Sequence, residues 1–284
     1  MDDFLVYLIR KVESMLSMSI IKQIIFPTKK IETIKKFKRT QVKNGNNVSR
    51  IAVHAHIFFE DVCDEIISYT NNIPENFDLY ISTDSIEKMS YIQRKMLSKS
   101  DAESIEIMLA PNRGRDVAPL LIQMHNIASQ YEYVCHIHSK KSLHTDFGTR
   151  WRRYLFDNLL YSREFVSNII RKFDKNRSLG IIYPVTFPEL IKVLSKEGNK
   201  KYLKELSEKI HVDVIEEELN LFPAGNMFWI RSKAVAQIFE HEFMISDFPE
   251  ENGQLDFTLM HAVERSWKYI VNYNGYESEC IKRV

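Results

Sequence analysis

Cysteine is scarce in this chain: Cys63, Cys135 and Cys280 are the three in 284 residues. They are too few and too scattered for a disulfide framework or a zinc-knuckle spacing, which points to a reducing compartment. No apolar run approaches the roughly eighteen residues that a membrane span needs. The N-terminus lacks the basic, apolar, small-residue order of a signal peptide, so a cytosolic protein is expected, with any membrane contact peripheral. Internal repeats and low-complexity blocks are missing too. A strong excess of either charge is also absent, since the formal net charge is +1. That balance hides an asymmetry: residues 1–50 hold eleven Lys and Arg against four Asp and Glu, and the remainder twenty-eight against thirty-four. A nucleic-acid binder would need a basic stripe across a folded face, and the mildly acidic body argues against one.

What is present is enough to fold. A content of 44% hydrophobic and 12% aromatic residues can bury a full core in one large domain or in a domain with an appendage. Residues 1–48 read as the appendage. Phe4, Leu5, Leu8, Ile9, Val12, Met15, Leu16 and Ile20 recur at helix-like spacing, followed by Pro27 and the lysine-rich segment 29–43. Such an arm suits either peripheral contact with anionic lipid, through residues 4–43, or packing on the body or a second subunit. Asn44-Gly45-Asn46-Asn47 then reads as a linker.

The main domain is expected over 49–284. Strands are predicted at 51–56, 77–82, 104–109, 133–138, 179–183 and 224–230, and helices around 60–72, 86–98, 117–129, 150–173 and 255–267. Strand–helix alternation of this kind argues for an α/β fold with a mostly parallel twisted sheet flanked by helices. The charged stretch 189–220 reads as a solvated helical face.

Ligands of open parallel sheets bind outside the carboxyl ends of the strands, so the residues following each strand are the candidates. Strand one ends on His54 and His56, and strand two on Ser82-Thr83-Asp84-Ser85. Asn112-Arg113-Gly114-Arg115-Asp116 stands where the third strand hands over to a helix. A helix start attracts anions and Arg adds planar donors, so this turn suits a phosphate, unless its Arg and Asp side chains merely pair with each other. Asp84 is placed either to accept from a ribose or base edge or to cap a helix. Strand periodicity turns His136 and His138 to one face, where they can hold a divalent ion, bond phosphates or sit buried and satisfied. The adjacent Lys140 and Lys141 favour phosphate over a cation. Gly225 and Asn226, within Phe222–Trp229, permit close backbone approach to a sugar or base, although a core strand with a tight turn accounts for them as well. Asp256 ahead of the last helix is a candidate general base for an acceptor hydroxyl, or a helix cap.

Seven segments together carry a resemblance over about residues 50–270. They are His56-Ile57-Phe58-Phe59, Asn71-Asn72-Ile73-Pro74 with Phe77–Thr83, Asn112–Pro119, Tyr133–Ser142, Trp151-Arg152, Ala224–Trp229 and Gly253-Gln254-Leu255-Asp256. In this order they resemble the rhamnan synthesis protein F family of bacterial polysaccharide assembly. The resemblance implies a glycosyltransferase with an A-type nucleotide-sugar-binding fold. It implies transfer of a deoxyhexose, such as rhamnose from its dTDP form, to a lipid-linked or growing glycan, with Asp256 as the base and inversion at the anomeric carbon. Such folds usually hold Mg or Mn through an Asp-x-Asp after the fourth strand. Here His136-Ile137-His138 stands in that place, so no cofactor is assigned with certainty and Arg113, Arg115, Lys140 and Lys141 offer a substitute for the ion's charge. The missing Asp-x-Asp also supports a rival reading, a non-catalytic carbohydrate- or nucleotide-binding module of a polysaccharide synthesis complex.

Overall fold

A computed structural model describes residues 49–141, 146–191, 199–213, 222–253 and 256–283, together with the backbone of 37–40. The amphipathic arm over 4–26 and the linker at 44–47 lie outside the described residues, as do Gln254 and Leu255. Among the described residues no helix is long and apolar enough to cross a membrane.

Among the described residues eight strands form one sheet: β1 (Phe37–Thr40), β2 (Ile51–His56), β3 (Phe77–Thr83), β4 (Ser104–Leu109), β5 (Tyr133–His138), β6 (Leu179–Pro184), β7 (Phe228–Arg231) and β8 (Glu277–Ile281). Their spatial order is β1-β4-β3-β2-β5-β7-β6-β8, with β1 and β7 opposed to the other six. The mostly parallel α/β sheet expected from the strand–helix alternation is therefore present. Residues 37–40, assigned above to the N-terminal segment, pair along β4 as an edge strand. β2 and β5 are buried along their whole length, as strands covered on both faces should be.

Alternation along β2 divides the core. Ile51, Val53 and Ala55 face a layer built by α1 (Cys63–Thr70), α2 (Ile86–Lys99), α4 (Phe147–Leu159) and α5 (Arg163–Lys175), through Ile66, Ile92, Phe156 and Phe173. Ala52 and Val134 face α3 (Val117–Met124), α6 (Lys200–Ile210), α7 (Ala236–Glu240) and α8 (Leu259–Tyr273), through Leu121, Leu206, Phe239 and Trp267. Side chains two apart on a strand share a face, so His54, His56, His136 and His138 project toward the α3 and α8 layer. The sequence sets each helix locally. In α5, for example, Val166, Ile169, Ile170 and Phe173 bury one stripe, and the Ser162 hydroxyl accepts from the Phe165 N–H as N-cap. The helical stretch expected over 150–173 is two helices, broken between Leu159 and Arg163.

β4 hands over to α3 through a turn in which Gly114 and Arg115 both adopt left-handed backbone, at φ 66° and 52°. A Cβ on Gly114 would lie 2.6 Å from Ala118 Cβ and 2.8 Å from Phe248 Cγ. Gly114→Ala is therefore expected to destabilise the protein by about 2–3 kcal/mol, combining left-handed strain with overpacking. A urea midpoint unchanged by this substitution would show that the turn is not held this way.

Candidate functional site

The strand order reverses at β2, whose neighbours β3 and β5 run parallel to it and connect onward in opposite directions across the sheet. A crevice opens at such a switch point, outside the carboxyl ends of the strands. In register, His54 lies beside His136 and His56 beside His138. His138 reaches the crevice with the other three imidazoles buried beneath it, and the walls come from the start of α3, the turn before β7 and the first half of α8.

Asp116, at the N-terminus of α3, organises the floor. Its Oδ2 accepts from Asn226 Nδ2 at 2.7 Å and from His136 Nε2 at 3.2 Å, with His138 Nε2 3.9 Å away. Burial by itself pushes this carboxyl up, but the facing His138 and His136 and the Asn226 amide outweigh it and hold Asp116 well below the usual carboxylate range. His136 Nε2 faces a carboxylate and donates to it, and its Nδ1 shares a hydrogen bond of 3.0 Å with His54 Nδ1. Ser82 Oγ continues the chain, 3.5 Å from His54 Nε2 and 2.9 Å from His56 Nδ1. Burial drives His54 well below its ordinary value, His56 down to about 4 and His138 down to about 3.

The turn before β7 locks onto this floor. Gly225 (φ 95°) and Asn226 (φ 51°) are both left-handed. The Gly225 carbonyl accepts from His138 Nε2 at 2.8 Å, and its N–H donates to Glu264 Oε1 at 2.7 Å. A Cβ at this position would lie 2.8 Å from Leu155 Cδ1 and 3.0 Å from Trp151 Cζ2. Asn226 bridges the two sides, since its Oδ1 accepts from Trp267 Nε1 at 2.7 Å while its amide holds Asp116.

Two cations face the cleft. Lys140 Nζ stands 3.9 Å from the centroid of the Trp151 ring, and among the described residues it makes no ion pair. Burial lowers its pKa, offset by Glu264 and Asp116. Arg115 lines the same cleft, its Nε and Nη2 donating to Glu251 at 3.0 and 3.1 Å. Met260, His261 and Glu264 of α8 close the far side, and burial pushes the Glu264 carboxyl up.

The expected site residues thus separate. Arg115, Asp116, His138, Lys140, Gly225 and Asn226 share the cleft. His136 is fully buried beneath it. Arg113 turns away, its Nε donating to the Phe248 carbonyl at 2.9 Å, and Asn112 is exposed on the turn with Gly114 buried behind it. Lys141 pairs with Asp61 and Asp84 with Lys88, while Ser85 and not Asp84 caps α2. Asp256 takes donors on both oxygens: Asn199 at 2.8 Å and the Phe257 N–H at 2.9 Å on Oδ1, and Arg265 at 2.8 Å on Oδ2. It is not part of the cleft lining. Among the described residues no three His, Cys, Asp or Glu side chains converge on a point where they could hold an ion.

Glu264 was not among the expected site residues. Its signal lies in α8, where Leu259–Val263 and Arg265–Trp267 are buried and a carboxylate interrupts the run. Trp151 left no periodic signal of its own, because its role depends on Lys140 folding over it from a different element.

These features define an α/β protein with a polar, cation-bearing cleft at the switch point of a mostly parallel sheet. Residues 3–276 match the family described as rhamnan synthesis protein F, and the chain belongs to that family. The family's role is in the synthesis of rhamnan polysaccharide. Two curated relatives, each called uncharacterized protein WxcX, come from Xanthomonas campestris pv. campestris strains B100 and ATCC 33913. Each is 29% identical to the chain over 239 residues, covering 81% of it and 32% of the relative. The chain therefore spans about a third of the length of these relatives.

Proposed function

We propose that this chain is a glycosyltransferase that moves a hexose, with rhamnose from its dTDP form as the first candidate, onto a lipid-linked or growing bacterial polysaccharide. The observation that carries the reading is Lys140, a half-buried ammonium held over an indole face with no carboxylate of the described residues in ion-pair contact, lining the switch-point cleft beside Arg115. Departure of a nucleoside diphosphate leaves negative charge to be stabilised, and cations fixed in a partly desolvated cleft stabilise it without reorganising. Membership of a polysaccharide synthesis family supplies the sugar. The parallel sheet with its crevice at β2 and β5 supports the A-type glycosyltransferase reading of the fold. A divalent ion, if one takes part, would have to draw ligands from the donor diphosphate, because His136 and His138 are committed to Asp116 and Gly225. The three donors on Asp256 favour a role in fixing Arg265 and the approach to α8 over that of acceptor base.

Calorimetric titration with a panel of nucleotide-diphosphate sugars, with and without manganese, tests the reading. Binding is expected for at least one donor. Lys140→Ala is expected to weaken that binding by about 10- to 100-fold, the loss of a charge-assisted contact of about 1.5–3 kcal/mol. Arg113→Ala, whose side chain serves the Phe248 carbonyl, should leave it unchanged. Equal effects of the two substitutions, or no binding by the wild type, would remove the proposal. Binding without transfer to any glycan acceptor would favour a non-catalytic module.

A further inference from the structure

Building on the transferase reading, we propose that Glu264 is the catalytic base that takes the proton from the acceptor hydroxyl. Three observations place it there. Among the described residues it is one of two carboxylates that line the cleft, and the other, Asp116, is committed through Oδ2 to both Asn226 and His136. One of the Glu264 oxygens, Oε1, is anchored by the Gly225 N–H at 2.7 Å, which fixes the carboxylate, while among the described residues Oε2 accepts no hydrogen bond. It also faces the same space as Lys140, so the group receiving a proton and the group facing the departing diphosphate share one cleft.

The chemistry balances without a further reactant. The acceptor oxygen forms a bond to the anomeric carbon as the bond from that carbon to the diphosphate oxygen breaks. The bonding electron pair leaves with the nucleoside diphosphate, and the hydroxyl proton passes to Glu264 Oε2. A base works best when its pKa approaches the working pH. Burial shifts Glu264 upward, while the other carboxylate of the cleft, Asp116, is shifted downward. Neighbouring carboxylates pushed apart in this way divide into a proton acceptor and a permanently charged structural group.

The test is Glu264→Gln in the full chain, assayed for donor binding by calorimetry and for transfer by product formation from pH 9 down to the lowest pH at which urea unfolding shows both proteins folded. The amide oxygen of Gln can still accept from Gly225, so the turn should persist and donor affinity should stay near the wild-type value. Transfer is expected to fall by about 10²- to 10⁴-fold. The acid limb of the wild-type pH profile, with its midpoint above the ordinary Glu value, is expected to vanish in the variant's residual rate. Asp256→Asn should keep that limb. Transfer by Glu264→Gln at the wild-type rate, or an acid limb that it retains, would overturn the base assignment while leaving the transferase reading in place. A wild-type chain that neither binds nor turns over any nucleotide-diphosphate sugar would overturn both.

Discussion

Lowering the pH from 7 to 5 is expected to reduce the protein's stability by several kcal/mol. His54, His56, His138 and His261 are buried, and burial holds the first well below its ordinary value and the others at about 4, 3 and 4. The sign follows from linkage. Each imidazole is neutral in the fold but titrates near 6.5 when unfolded, so between that pH and its folded value the unfolded chain binds protons that the native state excludes. Stability is intact above about pH 6.5 and falls as the pH falls. Between pH 7 and 5 His56, His138 and His261 each contribute a loss of about 2 kcal/mol, and His54 acts in the same direction. These losses draw on the roughly 5–15 kcal/mol by which a domain is typically stable. Glu264, shifted up, acts in the opposite sense, but it is one group against four. Urea midpoints measured at half-unit pH intervals read this directly. A flat profile from pH 7 to 5 would mean that the imidazoles titrate in the fold, and so are not desolvated.

The second large effect belongs to Asp116. Asp116→Ala is expected to cost about 3 kcal/mol, because it strands the buried Asn226 amide and the His136 Nε2–H without an acceptor. Asp116→Asn keeps one acceptor oxygen and should cost about 1 kcal/mol. Both changes should shift the urea midpoint while leaving the slope of the transition alone, since the surface exposed on unfolding is unchanged. The cleft should suffer as well. With Asp116 gone, Asn226 loses its hold on α3 and the Gly225 peptide loses its register against His138 and Glu264. An Asp116→Ala protein as stable as the wild type would show that the imidazole floor supports itself.

The parallel core was legible because each strand there is a short apolar run between turn signals. The predicted bounds at 51–56, 104–109 and 133–138 coincide with β2, β4 and β5. The two outer strands were not. Glu277–Ile281 alternates charge with small and polar residues and is only partly buried along β6, so it carries no apolar pattern. Residues 37–40 are charged at Lys38 and Arg39 and read as part of a basic arm, because edge pairing rests on backbone hydrogen bonds that leave little trace in side-chain type.

The switch-point rule pointed to the strand ends that border the cleft, and the turn residues Arg115, Gly225 and Asn226, picked out by their backbone freedom and charge, line it. What the sequence could not reveal was how side chains are spent. Arg113 and Arg115 stand two apart, yet the left-handed pair Gly114-Arg115 rotates one toward Phe248 and the other into the cleft. His136 and His138 look equivalent, but one is sealed between His54 and Asp116 while the other reaches the cleft wall. Asp256 was prominent because it precedes a helix, and its three donors come from Asn199, Phe257 and Arg265, of which only Asn199 is distant in the chain.

The most direct measurement is a crystal of the full chain soaked with the nucleotide-diphosphate sugar that calorimetry selects. The diphosphate is expected at the carboxyl ends of β2 and β5, within hydrogen-bond reach of Lys140 and Arg115, with the anomeric carbon turned toward Glu264. Donor bound at another surface, with Lys140 still resting on Trp151 beside an empty cleft, would contradict the account.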